Sequence, residues 1–244
     1  MMEVLNDILG YEDRKIYQDD KCFSFSLDSV MLANFVDIRL SDSNIVDLGT
    51  GNGVIPLILS MRTNKKIIGV EIQEKLSNLA KKSVLYNKLD DQIEIINLDM
   101  KDYVKPELIS KFDIVTCNPP YFKIQEKSLV NKDMEKLIAR HEIAITLNDI
   151  FSISKKLLKD GGKLAIVHRA DRLIEILNEF EQNNIVPKRL QFVYESVDKD
   201  AIIVLIEGIK HGKSGLRVES PFILHNNDGT NTEQYSKFLS EVRK

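Results

Sequence analysis

The sequence predicts an α/β fold: a mostly parallel seven-stranded sheet with helices between its strands and an antiparallel hairpin at its C-terminal end. Two observations lead there. Short apolar runs of strand length recur at residues 44–48, 66–71, 92–99, 111–117 and 163–168, with apolar residues at helical spacing between them, the alternation of βαβ units. Two more apolar runs, 190–196 and 201–207, are joined by Val197-Asp198-Lys199-Asp200 alone, a connection short enough for an antiparallel hairpin. With 244 residues, 43% of them hydrophobic, the chain can build a large core. We expect one main domain over residues 41–210, an N-terminal hairpin and helix over residues 1–40, and a basic C-terminal extension over residues 211–244 packed on the same domain.

Taken in order, residues 1–10 read as a short peripheral helix or arm. Residues 15–18 and 21–25 suggest two short strands about the acidic pair Asp19-Asp20, a hairpin over one end of the sheet. Ser26-Leu27-Asp28-Ser29 can cap a helix carrying Val30, Leu32, Ala33, Phe35 and Val36, since a short polar side chain accepts from N–H groups that a first helical turn leaves over. The piece is read either as a helix packed on the sheet or as a lid over a ligand. The first parallel strand, with Ile45, Val46 and Leu48, runs into Gly49-Thr50-Gly51-Asn52-Gly53, and a helix starts at Val54. The second strand ends in Glu71 and is followed by a helix with Ile72, Leu76, Leu79, Ala80 and Val84 inward; the third ends in Asp99.

The fourth strand delivers Asn118-Pro119-Pro120-Tyr121, where two prolines stiffen the backbone because each locks φ and lacks an N–H. Residues 122–140 are polar and charged, a mobile lid or a substrate-contacting loop. After His141-Glu142 comes a helix with Ile143, Leu147, Ile150, Phe151 and Leu158 inward, closed by Asp160-Gly161-Gly162. The fifth strand ends in His168, read as a packing residue, and residues 171–180 form another helix. In the tail, residues 210–217 are basic without an intervening acid, and the residues from Thr232 read as a last helix.

Composition excludes several classes. Two distant cysteines and four histidines make neither a disulfide framework nor a zinc cluster, so no metal is expected. The acidic start and the lack of any apolar run of membrane-spanning length lead us to expect a cytoplasmic, membrane-free protein, taken as a monomer. A net charge of -3 argues against general adhesion to nucleic acid, so an RNA partner has to meet a local basic patch.

Three glycines at alternate positions let a backbone bend tightly and approach a ligand closely. The absence of Gly-Lys-Ser/Thr after them rules out a phosphate-loop ATPase, and Val54 stands where a dinucleotide fingerprint wants glycine. With Glu71 placed for ribose hydroxyls and Asp99 for an adenine amino group, the set describes a pocket for an adenosine-containing cofactor. Asn118 supplies the chemistry. An amine conjugated to a ring or carbonyl is a poor nucleophile; if the Asn118 oxygen and the Pro119 carbonyl both accept from it, its lone pair is aimed at an electrophilic methyl group. Tyr121 would stack on the planar group.

Together, Asp47-Leu48-Gly49-Thr50-Gly51-Asn52-Gly53, Glu71, Asp99 and Asn118-Pro119-Pro120-Tyr121 resemble the S-adenosylmethionine-dependent amino-methyltransferases of the seven-stranded Rossmann-like fold. More closely, residues 23–33, Tyr121-Phe122, Ala139-Arg140-His141-Glu142, Gly161-Gly162-Lys163-Leu164 and residues 207–217 resemble the bacterial tRNA1(Val) adenine N6-methyltransferase family. That resemblance implies S-adenosyl-L-methionine as cofactor, a tRNA substrate, and methylation of an adenosine next to the anticodon. It puts Asp47, Gly49, Gly51 and Gly53 around the methionine part, Glu71 on the ribose, Asp99 on the adenine, and Asn118, Pro119 and Tyr121 at the target base with Pro120 and Phe122 beside it. Lys123, Arg140, Lys210, Lys213 and Arg217 are then expected on RNA phosphates. A glutamine N5-methyltransferase acting on a release factor resembles the chain at residues 118–121 as well. Such enzymes carry a helical domain ahead of the first strand, and the hairpin-like segment among the 43 residues before Asn44 favours RNA.

Overall fold

The computed structural model describes residues 3–9, 11–19, 26–120 and 145–241. The elements in order are β1 (Glu3–Ile8), β2 (Tyr11–Asp19), α1 (Leu27–Phe35), β3 (Asn44–Leu48), α2 (Val54–Arg62), β4 (Lys66–Glu71), α3 (Glu74–Tyr86), β5 (Ile93–Asn97), α4 (Met100–Tyr103), β6 (Phe112–Cys117), α5 (Leu147–Leu157), β7 (Leu158–Arg169), α6 (Leu173–Gln182), β8 (Ile185–Ser196), β9 (Ala201–Lys210), β10 (Arg217–Val218), β11 (Phe222–His225) and α7 (Glu233–Glu241). The seven expected strands lie in the order β5-β4-β3-β6-β7-β9-β8. β3 pairs in parallel with β4 and β6, β4 with β5 and β6 with β7, while β9 runs antiparallel to both β7 and β8.

Successive side chains along a strand point to opposite faces, and the core divides accordingly. Ile45, Ile67, Ile114 and Val167 pack with α1, α2, α3 and α7 on one face. Val46, Leu48, Val115 and Ile166 pack with α4, α5 and α6 on the other. α5 begins with a reciprocal cap between Thr146 and Asp149, which satisfies two otherwise orphaned donors. Leu158 lies at the start of β7 rather than on the helix, because the register shifts between Phe112 and Ile114 and Gly161 turns with φ +79°. His168 is fully buried and its Nδ1 accepts from the Arg169 N–H at 2.8 Å; burial first, and Arg172 second, push its pKa down to about 4.

Three further features depart from expectation. Residues 3–8 form a strand rather than a helix, and the hairpin described pairs β1 with β2, Glu3 opposite Asp19; residues 20–25, on which the expected strand after Asp19-Asp20 falls, lie outside those described. Its free edge is read by side chains of α3: the Tyr17 N–H donates to Ser83 Oγ at 2.9 Å, the Lys15 N–H to Asn87 Oδ1 at 3.1 Å, and Asn87 Nδ2 returns a bond to the Lys15 carbonyl at 2.7 Å. The hairpin thus rests on α3. Ile72, expected inward, stands 46% exposed just before α3, because the helix starts two residues later. Finally, the tail adds β10 and β11, both parallel to β8 along its outer side, and the Thr232 hydroxyl accepts from the Tyr235 N–H at 3.0 Å as α7 begins.

The C-terminal end of α1 is gripped by cations from three other elements. Arg62 donates to the carbonyls of Ala33 and Val36, Arg189 to that of Phe35 while lying 4.2 Å over its ring, and buried Lys163 to Asp37 and Asp42. Positive charge suits a helix C-terminus, where carbonyls lack intrahelical partners. Glu207 accepts from the Asp37 N–H at 2.9 Å. This fastening holds the C-terminal end of α1 in place.

Candidate active site

From β3 the chain proceeds outward through β4 and β5, then returns to β6 on β3's other side. Such a switch opens a crevice beyond the strand C-termini, where α/β sheets bind ligands. Leu48 is in register with Cys117, so Gly49 and Asn118 emerge from adjacent strands roughly 4.8 Å apart.

The glycine turn follows as predicted. Gly49, Gly51 and Gly53 have φ of +71°, +60° and +88°, a region side chains rarely enter. A Cβ on Gly53 would sit 3.1 Å from that of Ala80, whereas one on Gly51 would meet nothing within 4 Å, so the ground before Gly51 is open. Glu71 ties the turn down: its Oε2 accepts from the Gly51 N–H and its Oε1 from the Gln73 N–H, both at 2.8 Å. Gly49 and Thr50 donate to the Val70 carbonyl at 2.9 and 3.0 Å. Glu71 is thereby fixed at the end of β4, beside the glycine turn.

Asp47, one position earlier on the α1 face, is 1% exposed. Its Oδ1 accepts from the Thr116 hydroxyl at 2.7 Å and its Oδ2 has no hydrogen-bond partner. Burial pushes the carboxyl up to about 7, with Glu71 adding to the rise; the Thr116 bond opposes it, and the nearby Thr50 hydroxyl pulls the same way without closing a bond of good geometry. Asn118 shows a similar imbalance. Its Nδ2 donates to Ser29 Oγ at 2.8 Å and lies 3.4 Å from Ser26 Oγ, while its Oδ1 is buried with no partner. Pro119 behind it is buried and Pro120 exposed. Asp99 caps α4, accepting from the Lys101 N–H at 2.8 Å.

Sequence reasoning named Asp47, the glycines, Glu71, Asp99 and Asn118, and these line the ends of β3, β4, β5 and β6. It missed Thr116, which shares Asp47's face by the period of two, and took Ser26 and Ser29 only as caps. Tyr121, Phe122, Lys123 and Arg140 lie outside the described residues. Lys210 requires correction: it is 7% exposed and donates to the Leu158 carbonyl at 2.7 Å, so its ammonium is spent on β7 and is not offered to phosphate. It also lies at the other end of the sheet, roughly 15 Å along the strands from Asn118. Lys213 and Arg217 are exposed, the latter paired with Glu219 at 2.7 Å. Arg217 stands level with Thr116 but four strands away, roughly 19 Å. The basic tail is therefore separate from the crevice.

The buried, partnerless Asp47 Oδ2, an open glycine turn and the Glu71 carboxylate at the next strand end fit S-adenosyl-L-methionine, which presents cationic centres, ribose hydroxyls and an adenine. Among the described residues no three His, Cys, Asp or Glu side chains gather as a metal site, and no helix is long and apolar enough to cross a membrane.

The methyltransferase small domain family matches residues 25–194. The tRNA1(Val) (adenine(37)-N6)-methyltransferase of Bacteroides thetaiotaomicron is 28% identical over 193 residues, covering 75% of this chain and 78% of that one. Its counterpart in Parabacteroides distasonis is 27% identical over 202 residues, 83% of each chain. Among solved structures, an Agrobacterium tumefaciens protein described as a predicted O-methyltransferase superposes with a TM-score of 0.69 at 18% identity, covering 89% of this chain and 97% of that one. M. capricolum TrmK, in complex with S-adenosyl-homocysteine, superposes with a TM-score of 0.54 at 19% identity over 80% and 71% of the two chains. Both share the Rossmann-like methyltransferase fold. Since the family match runs from just before α1 into β8 and takes in every wall of the crevice, this chain belongs to the methyltransferase small domain family, and within it matches the bacterial tRNA1(Val) (adenine-N6)-methyltransferases at family level.

Proposed function

We propose that the protein methylates the exocyclic N6 amine of an adenosine in tRNA, next to the anticodon of tRNA1(Val), in the cytoplasm. The observation that supports this best is the buried, partnerless Asn118 Oδ1 beside the glycine turn. An acceptor in that state costs about 1–3 kcal/mol until a donor arrives, and an amine N–H is such a donor. The names of the relatives supply the RNA.

In this reading Asp47 and the backbone of Gly49, Gly51 and Gly53 hold the methionine end of the cofactor, Glu71 the ribose, and Asp99 the adenine, with exposed Ile72 against its ring. S-adenosyl-L-methionine, when bound, supplies a methyl group on a cationic sulfur. Asn118 Oδ1 and the Pro119 carbonyl accept the two N–H bonds of the target amine. That draws electron density onto nitrogen, turns its lone pair out of conjugation, and holds the approach that makes transfer effectively intramolecular. The surplus proton leaves to solvent after transfer, so these residues need only accept. Tyr121 stacks on the base with Pro120 and Phe122 around it, and Lys123, Arg140, Lys213 and Arg217 hold phosphates without reading sequence.

The test is incubation with an unmodified tRNA1(Val) transcript and methyl-labelled S-adenosylmethionine, followed by nucleoside mass spectrometry. N6-methyladenosine at one position is expected. Label on the glutamine of a release factor, with none on RNA, would replace this reading by amide methylation.

A further inference from the structure

We propose that Ser29, seconded by Ser26, is a positioning residue that tethers the Asn118 amide with its oxygen toward the target amine; this rests on the role given above to Asn118. A primary amide has two ends of nearly equal size, one an acceptor and one a donor. Only the oxygen can accept from an amine N–H. Rotating the group by half a turn sets donor against donor. Steric fit does not choose between these arrangements, and a serine hydroxyl can accept or donate; the productive arrangement is the one that pairs both ends once the amine is present, Oδ1 with the amine N–H and Nδ2 with Ser29.

The surroundings are serine hydroxyls on the first turn of α1. Nδ2 donates to Ser29 Oγ at 2.8 Å and approaches Ser26 Oγ at 3.4 Å, so the donor end is satisfied while Oδ1, at the other end, is buried without a partner. Ser26 bears this out from its own side. It stands at the N-cap of α1, yet its hydroxyl caps no helical N–H, although capping is what serine ordinarily does there. Ser29 is 7% exposed, which leaves little water to replace it. Its position is inherited from the far end of the helix, where Arg62, Arg189 and Lys163 hold α1 against the sheet. The amide is thus oriented by the start of α1, an element outside the strand ends that form the crevice.

The experiment compares Ser29→Ala, Ser29→Thr, Asn118→Ala and the Ser29→Ala/Asn118→Ala double variant, with titration of S-adenosylmethionine and a melting curve for each. Ser29→Ala is expected to lower kcat on the tRNA1(Val) transcript about tenfold, the rate equivalent of one hydrogen bond, with cofactor affinity and melting temperature near wild type. Ser29→Thr, which keeps the hydroxyl, recovers most of the rate. On an Asn118→Ala background the serine substitution has no further effect, because it acts through the amide. In spectra of the cofactor-free protein, the Asn118 side-chain amide signals shift and narrow toward free rotation in Ser29→Ala. Unchanged kcat in Ser29→Ala while Asn118→Ala is inactive overturns this inference and leaves the proposed function standing, as does a loss that multiplies with Asn118→Ala. Wild-type activity in Asn118→Ala overturns the function itself.

Discussion

Replacing Asp47 with asparagine should make the cofactor-free protein more stable in mild alkali and leave it little changed in mild acid. Asp47 titrates near 7 when folded against an ordinary 3.8, because burial raises the cost of its charge. A carboxyl whose folded pKa is raised gives stability that is fully present below the unfolded pKa and is lost as pH climbs through the folded one. The full gap is worth about 4 kcal/mol, of which roughly 2–3 kcal/mol falls between about pH 5 and about pH 8. Asparagine keeps the bond from Thr116 but puts an N–H where Oδ2 had no partner, a cost of about 1–3 kcal/mol at any pH. Subtraction leaves the variant near wild type at about pH 5 and ahead by about 1–3 kcal/mol at about pH 8. Urea unfolding of both proteins at the two pH values measures it. A difference that does not move with pH, or a variant less stable in alkali, refutes the reasoning. With Asp47 at the cofactor as proposed above, a cationic ligand would lower its pKa, so affinity for S-adenosylmethionine should rise with pH in wild type and be weak and flat in the variant.

Other perturbations separate chemistry from architecture. Asn118→Ala should lower kcat by about 10²–10³-fold while S-adenosylmethionine binding, followed by calorimetry, stays within a few-fold of wild type. Lys163→Met strips Asp42 and Asp37 of their cation; with Asp37 partly in water the cost should be about 3 kcal/mol, or a fall of roughly 6–12 °C in melting temperature by calorimetry. Lys210→Met should lower stability with no change in the salt dependence of tRNA binding, whereas neutralising Lys213 and Arg217 should reduce the slope of log affinity against log salt by about one for each phosphate left without its cation.

The central sheet was legible because its strands are buried on both faces and therefore read as unbroken apolar runs, and because the loops that matter carry glycine or proline. The glycine turn, Glu71 and Asn118 could be placed by counting. The N-terminal hairpin could not: it rests on α3 through backbone bonds to Ser83 and Asn87, and β1 buries only Ile8 deeply, so its sequence has no strand period. β10 is two exposed residues whose pairing is with distant β8. Lys210 misled because a lysine in a basic stretch looks solvated, and only the structure shows its tip on the Leu158 carbonyl. Ser29 carries no signature either, since its partner lies 89 residues away.

The two short ribbons laid along β8 have a consequence for self-association. A sheet border with unclaimed amides and carbonyls invites another chain to add itself. Here Arg217–Val218 and Phe222–His225 occupy that border, and the Glu219 N–H between them reaches the Leu190 carbonyl at 2.8 Å. A chain cut short before Arg217 would keep the strand ends that form its crevice, yet bare a ladder on which copies could stack, so resistance to self-association is expected to rest on residues remote from the crevice.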